Sequence, residues 1–479
     1  MIGLGCLTLS LVVLVNGCGG GGTAPQSPKP LWETTVMVGQ ESAIIETPPQ
    51  YGAKIEIAAG TFAESTEVRV QVFAPDAFKL PDGGVASSHY IRLGFSPNAF
   101  QESGRISVYA SNQDATANQN KAKAVLLHLP DGGWVATSVD FEGNKDDFHA
   151  KIDSQVVELC NQNTHTTRVS PIAWIPMIII IILPPPVNND ELARPSVVFY
   201  KWTGQGWAGP VRQPSDWSNK KVALVLHGLL SKIDQGFGQP IRVGDSVSDM
   251  ARTLYLIDIY GSTEKFYDEI WGVEYNWAAP IAQNGRLLGQ ILAGVPGIDQ
   301  VNILDIHAHS MGGLVARYAI EEGGSIPVFR LFTYGTPHLG APELVIYNLM
   351  LKVANTVVPT PGVKDLFEGS QFIRDLNTRG KSDANYILFG GYVPREEKRG
   401  LYKQISNASN IDNRGPNDGV VLLMSADPLS VDPSYAGIIR MNCGFYASGN
   451  NGTPLRLDHS EIKALDSDKL SAYVRAVIY

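Results

Sequence analysis

Apolar and polar residues alternate along the first third of the chain. Segments 53–57 and 67–73 place apolar side chains at every second position, and Pro-Asp-Gly-Gly turns at 81–84 and 130–133 punctuate such segments. A period of two predicts strands with one buried face, and short strands separated by turn residues are typical of an antiparallel sandwich. We therefore predict a small all-β sandwich domain over residues 31–165.

The pattern changes after residue 196. Segments 222–226, 301–306 and 328–334 are dominated by apolar residues, and a helical pattern follows the second of them at 311–321. Continuous apolar runs are typical of strands buried on both faces of a parallel sheet. Strands that alternate with helices indicate an α/β domain, which we place at residues 196–479.

Between these two regions lies an apolar and proline-rich segment, 166–195. Its Ile-rich run at 177–183 is bounded by prolines and is too short for a membrane-spanning helix. We predict a linker that contains a buried strand bridging the two domains, with a membrane-dipping segment as the alternative.

The N-terminus has the composition of an export signal. Residues 7–15 are almost wholly apolar, Cys18 follows, and 19–30 are rich in Gly and Pro. The Val-Asn-Gly-Cys sequence ending at Cys18 resembles the lipobox of bacterial lipoproteins, in which the cysteine is lipidated. This resemblance implies a signal peptide at 1–18, a tether, and a protein anchored in the cell envelope (the outer membrane in a Gram-negative cell). A plain cleaved signal is the alternative.

Charge and cysteine content indicate which classes of partner and cofactor the chain can have. The chain has 38 basic and 47 acidic residues, a net charge of −9 and a pI near 5.5, which disfavours nucleic acids as partners. Of the four cysteines, Cys160 and Cys443 fall in the predicted domains, either as one disulfide or as two buried thiols. No metal, organic cofactor or protein partner is predicted.

The strongest chemical signal is Ala-His-Ser-Met-Gly-Gly at 308–313, between a predicted strand and a predicted helix. Such a sharp strand-to-helix turn exposes a serine, here Ser310, and needs small neighbours such as Gly312. We expect His309 and Gly312 to support the turn. The motif resembles the nucleophile elbow of small Bacillus-type lipases in the α/β-hydrolase superfamily, with Ala308 in place of the usual first glycine.

A serine nucleophile needs a general base and an acid that orients it. In α/β-hydrolases the chain order is serine, acid, histidine, so only His338 and His459 can be the base. His459 lies in a polar loop before the last predicted helix and is our prediction. His338 belongs to a Gly-Thr-Pro-His-Leu-Gly segment that resembles a supporting turn of many lipases. Asp418 lies in an Asn-Asp-Gly-Val-Val segment that resembles the acid motif of bacterial lipases; Asp427 and Asp383 are the reserves.

The oxyanion site should consist of two backbone amides. Met311 follows the nucleophile and supplies the first. The His-Gly-Leu segment at 227–229 resembles the oxyanion segment of the superfamily, which implies Leu229 as the second donor, with His227 and Gly228 as supports.

The superfamily resemblance covers about residues 220–465. A Tyr-x-Trp segment at 275–277 is similar to those of lipase-like and GPI-deacylase-like hydrolases, and segments 57–62 and 66–70 resemble ZU5-like sandwiches. The insertion at 341–377 is either a lid or a surface helix pair. The resemblance implies a serine esterase that acts on lipid or other acyl esters. Acyl transfer with the same residues, or an inactive surface binding protein, are the alternatives.

Overall fold

The computed structural model describes most of the chain. The described residues are 28–81, 85–86, 88–111, 123–128, 134–137, 139–140, 147–154, 156–157, 173–174, 177–182, 194–231, 233, 248–257, 264–322, 326–354, 360–379, 382–427, 445–448, 455–459 and 461–464. The predicted signal peptide, Cys18, Cys160 and Cys443 lie outside these residues, so the anchor and the disulfide remain predictions.

The N-terminal part is built from antiparallel strands in two sheets. The strands are β1 Trp32–Val38, β2 Ala43–Glu46, β3 Ala53–Ile57, β4 Thr66–Phe73, β5 Val85–Ala86, β6 Tyr90–Phe95, β7 Ile106–Ser111, β8 Lys123–His128, β9 Trp134–Thr137, β10 Val139–Asp140, β11 Asp147–Ile152, β12 Ala173–Trp174 and β13 Met177–Ile182. One sheet has the order β1-β4-β6-β13-β8-β9, with β12 beside β6 and β5 beside β13, and the other has the order β10-β11-β7-β3-β2.

The two sheets share one apolar core. Alternate residues of β4, among them Val68 and Val70, are fully buried, and they pack in one cluster with Ile55 of β3 and Val108 of β7. The period-two pattern of the sequence therefore sets which face of each strand is buried. We call this part the two-sheet region, residues 32–182.

The boundary of this region differs from the predicted one. The Ile-rich run forms β13, which pairs with β8 along its whole length and contacts β6. Segment 177–182 is thus an interior strand of the first sheet rather than part of a linker at 166–195.

The C-terminal part contains an eight-stranded sheet. Its strands are β14 Val197–Trp202, β15 Trp207–Val211, β16 Lys221–Leu226, β17 Glu269–Tyr275, β18 Ile303–His309, β19 Arg330–Tyr334, β20 Asn385–Phe389 and β21 Phe445–Ser448. The order is β15-β14-β17-β16-β18-β19-β20-β21. The pairs from β17 to β21 are parallel, while β14 and β15 are paired antiparallel at one edge. This mostly parallel sheet confirms the predicted α/β class.

Helices flank this sheet. They are α1 Ser248–Tyr255, α2 Ile281–Ala293, α3 Met311–Glu321, α4 Glu343–Ala354, α5 Pro361–Asp365, α6 Gln371–Arg379, α7 Gly400–Ser409, α8 Leu423–Ala426 and α9 Glu461–Ala464. The apolar face of α2, with Leu288 and Leu292, and that of α3, with Leu314 and Val315, pack on the sheet in one buried core. Among the described helices, none has the length and apolar character needed to cross a bilayer.

Candidate active site

Ser310 lies at the turn between β18 and α3. Its backbone has φ 52° and ψ −127°, outside the regions that most residues adopt, and its N–H donates to the Tyr334 carbonyl at 2.9 Å. A Cβ on Gly312 would lie 2.4 Å from the His227 carbonyl oxygen, so no larger residue fits there. The tight turn therefore depends on the small residue that the sequence places after Met311.

His459 and Asp418 meet Ser310 above the sheet. His459 Nε2 lies 3.0 Å from Ser310 Oγ, and His459 Nδ1 lies 2.8 Å from Asp418 Oδ2. The other oxygen of Asp418, Oδ1, accepts hydrogen bonds from the amides of Val420 and Val421 at 2.9 and 2.7 Å. A carboxylate that accepts at Oδ2 leaves the proton of a neutral imidazole on Nδ1, so Nε2 is free to accept the serine proton. Ser310 and His459 are each 7% exposed, while Asp418 is fully buried.

Two further histidines hold the backbone around these three residues. His309 Nε2 donates to the carbonyl of His459 at 2.8 Å, which ties the histidine loop to the turn. His227 Nε2 accepts from the Tyr275 amide, so its Nδ1 carries the proton and donates to the Gly228 carbonyl at 2.8 Å. The His227 ring also stacks on Tyr275. Both histidines therefore bond to backbone groups next to Ser310 and His459.

The backbone at Leu229 and that at Met311 both lie next to Ser310. Met311 is the first residue of α3, where backbone N–H groups have no partner within the helix. A Cβ on Gly228 would lie 3.0 Å from Ser310 Cβ, so segment 228–229 passes directly beside the serine. Neither amide donates a hydrogen bond to another described residue. Leu230, with φ 57°, turns the chain sharply after Leu229.

The other histidine after Ser310 does not reach this place. His338 is fully buried, with Nδ1 3.3 Å from Arg317 Nη1 and Nε2 3.1 Å from Thr333 Oγ1. Burial, reinforced by the Arg317 charge, holds the pKa of His338 well below its usual value. Of the reserve acids, Asp427 lies at the end of α8, and the hydrogen bond to His459 belongs to Asp418 instead.

A buried lysine braces the loop of Asp418, and no sequence motif identified it. Lys398 is 2% exposed, donates to Asn417 Oδ1 at 2.6 Å and pairs with Asp412. Asn417 Oδ1 in turn accepts from the Gly419 amide at 3.0 Å. Burial lowers the pKa of Lys398. The bracing residues are separated in sequence by up to 19 positions, so no local spacing could have revealed them.

Partly exposed apolar side chains pack around the residue that follows Leu229. Leu229, Trp277, Leu349 and Val353 pack against a buried cluster that includes Leu230. The two leucine residues and the tryptophan come from three separate segments of the chain. All of them contact the cluster that contains Leu230, the residue after the predicted oxyanion donor Leu229.

Three solved structures that resemble this chain share 13–15% of its sequence. No protein-family model and no curated protein matches the chain. Among solved structures, it is similar to the mature form of a lipase from Bacillus licheniformis, with 15% identity over 57% of this chain and 93% of that one and a TM-score of 0.34. An esterase from Pyrococcus furiosus matches at 13% identity over 61% and 94% of the two chains, with a TM-score of 0.30. A phospholipase from Legionella pneumophila matches at 14% identity over 43% and 45%, with a TM-score of 0.26.

Proposed function

We propose that this chain is a serine carboxylic-ester hydrolase of the α/β-hydrolase class. The observation that carries the proposal is the continuous hydrogen-bonded series from Ser310 Oγ through His459 to Asp418, at 3.0 and 2.8 Å. A serine hydroxyl is a weak nucleophile until a positioned base removes its proton, and this series supplies that base.

In the proposed reaction, Ser310 Oγ attacks the ester carbonyl carbon while its proton passes to His459 Nε2. The carbonyl oxygen gains negative charge and accepts hydrogen bonds from the amides of Leu229 and Met311. Collapse of this intermediate transfers the proton to the departing alcohol and leaves an acyl group on Ser310. Water, deprotonated by His459, then releases the carboxylic acid and restores the serine.

Asp418 has a defined part in this scheme. It fixes the imidazole with Nδ1–H towards itself and offsets the positive charge that His459 gains during each proton transfer. Two backbone amides already bond its other oxygen, which keeps the carboxylate in one orientation. Loss of either oxyanion amide would cost about 3 kcal/mol of transition-state stabilisation.

We further propose an acyl chain of lipid type as the substrate's acid portion. The support is the group of partly exposed apolar side chains, Leu229, Trp277, Leu349 and Val353, that pack against one buried cluster with Leu230. A hydrocarbon chain gains about 0.8 kcal/mol for each CH₂ group that it buries against apolar side chains.

Initial rates on aryl esters of increasing acyl length test both parts. Wild type should hydrolyse them, and Ser310→Ala should lose at least about 10³-fold in kcat. Thr61→Val, which removes a buried hydroxyl within the two-sheet region, is the control for general damage. Turnover that survives in Ser310→Ala would exclude this mechanism, and a preference for acetyl esters would exclude the lipid-type acyl group.

We propose that Cys18 anchors the enzyme in the cell envelope, on the basis of the lipobox-like sequence alone. Metabolic labelling with an alkyne-bearing fatty acid should tag wild type and leave Cys18→Ser untagged. Equal labelling of the two proteins would refute the anchor.

A further inference from the structure

Helix α4 is buried on nearly all sides, although its sequence position is that of an insertion. Six of its residues are 5% exposed or less: Val345, Ile346, Tyr347, Asn348, Met350 and Leu351. A lid that opens, or a helix on the surface, would leave one face in water. This helix instead has three faces, each in contact with a different part of the molecule.

The first face of α4 contacts the two-sheet region. Tyr347 and Leu351 pack in one apolar cluster with Phe73, Tyr90 and Trp134. Since the last three residues come from β4, β6 and β9, this cluster joins the first sheet to the helix. The two parts of the chain therefore share a core at this point.

Asn348 connects the same face to the edge of the sheet. Its Oδ1 accepts a hydrogen bond from the Ala136 amide at 2.9 Å, and its Nδ2 donates to the Ala136 carbonyl at 2.9 Å. Among the described strands, β9 is the last in its sheet, and alternate residues of an edge strand direct both polar backbone groups outwards. The asparagine amide pairs with these groups as a neighbouring strand would.

The other faces of α4 contact the candidate active site. Ile346 and Met350 share a buried cluster with Leu230, which follows the proposed oxyanion donor. Val345 shares another with Val420 and Val421, whose amides bond Asp418. One helix thus lies between the edge of β9 and the two loops that the proposed chemistry uses, and it contacts both.

We propose that Asn348 is a positioning residue: through it, the two-sheet region holds α4 against the oxyanion segment and the Asp418 loop. The inference rests on the proposed function, because it assigns a role to that site's surroundings. The two-sheet region then acts as a fixed support for the active site rather than as an independent module. Release of the asparagine pair would allow α4 to shift while Ser310 and His459 keep their own contacts.

The test is the rate constant at which a fluorophosphonate labels Ser310. This reaction needs the serine, the base and the oxyanion amides, and a rate constant per site is independent of how much protein is folded. Asn348→Ala should lower it about tenfold, since misplacement of a reacting group by less than 1 Å costs this much or more. With an aryl ester as substrate, kcat calculated per labelled Ser310 should fall in the same proportion.

Thr47→Val is the matched control. Thr47 Oγ1 also bonds both the amide and the carbonyl of one strand residue, Ala53, each at 2.9 Å, but lies within the two-sheet region. Loss of that pair should leave the labelling rate constant within twofold of wild type. A fall of less than threefold in Asn348→Ala, or an equal fall in Thr47→Val, would overturn the proposal.

Two further comparisons distinguish failure of this proposal from misfolding of the variant and from failure of the proposed function. If Asn348→Ala does not fold, Leu351→Val is measured instead, because it removes one carbon from the same face of α4. A labelling rate constant less than twofold below that of wild type would then overturn the proposal. If Ser310 is labelled but no ester is hydrolysed, the proposed function fails while labelling still decides the role of Asn348. If wild-type Ser310 is not labelled at all, both proposals are refuted.

Discussion

Some residues of this site are required for their small size rather than for a reactive group. Gly335 has φ 58°, and a Cβ built there would lie 3.1 Å from both Asp418 Oδ2 and His459 Nδ1. Glycine is therefore needed at this position for two reasons. The backbone is left-handed, and a side chain would have no room beside Asp418 and His459. The hydrogen bond at the centre of the site depends on a residue that takes no part in chemistry.

Gly335→Ala should lower kcat about tenfold or more, because the added methyl group pushes Asp418 and His459 apart. The left-handed backbone alone should cost about 1 kcal/mol of stability. Gly400→Ala separates the two effects, since Gly400 has φ 49° and no atom within 4 Å of a built Cβ. Steady-state kinetics and urea unfolding of both variants provide the comparison. Equal kcat values in the two variants would contradict the steric argument.

Local patterns in the sequence are enough to select candidate residues for the site. A strand, a tight turn and a helix select Ser310, chain order selects His459, and the structure places the two side chains 3.0 Å apart. Lys398 and Asn348 could not be predicted in this way, because each acts through a partner distant in sequence. A buried hydrogen bond between remote segments has no periodicity and no motif.

At the scale of helices and strands, contacts between elements decide what a local pattern means. The apolar run of β13 is compatible with a linker strand or a sheet strand, and only its pairing with β8 resolves the choice. Helix α4 has apolar residues around its circumference, which sequence alone cannot assign to a lid, a surface or an interior. Its burial against three partners follows from the arrangement of the whole chain.

The carboxylate of a residue in one helix accepts a hydrogen bond from the first amide of another helix. Asp365, the last residue of α5, accepts a hydrogen bond from the Ile281 amide at the start of α2, at 2.8 Å. Burial raises the pKa of Asp365 to about 6. A carboxyl whose pKa is raised in the folded state destabilises the fold once it ionises, so this cost is present above pH 6 and is relieved towards pH 4.

Asp365→Asn should therefore gain stability relative to wild type as pH rises. Asparagine keeps an acceptor for the Ile281 amide but never ionises. The difference in free energy of unfolding should grow by about 1 kcal/mol from pH 5 to pH 7 in favour of the variant. Urea titrations at both pH values measure it, with Asp299→Asn as the control because Asp299 is exposed. A difference that does not change with pH would show that Asp365 titrates normally.

Across the whole molecule, the two parts are joined where the site needs support. Among the described strands, β9 is the last of the first sheet, and α4 and α7 both contact it. Helix α7 precedes the Asp418 loop, and its Ala408 packs in the core of the two-sheet region. The two-sheet region therefore contacts both helices that lie next to the proposed catalytic loops.

The stability of the whole fold should decrease in mild acid because two histidines are buried without charge. Burial holds the pKa of His307 and of His338 well below the usual 6.5. The folded state therefore keeps them neutral while the unfolded chain binds protons below pH 6.5, so stability is present above that pH and is lost as pH falls. Between pH 7 and pH 5.5 the two histidines should therefore lower the free energy of unfolding, while Asp365, whose pKa is raised, opposes this loss. Urea unfolding at the two pH values should show a net loss of stability, and a larger loss in Asp365→Asn, which lacks the offset. Stability that is equal or greater at pH 5.5 would mean that these histidines gain protons without unfolding.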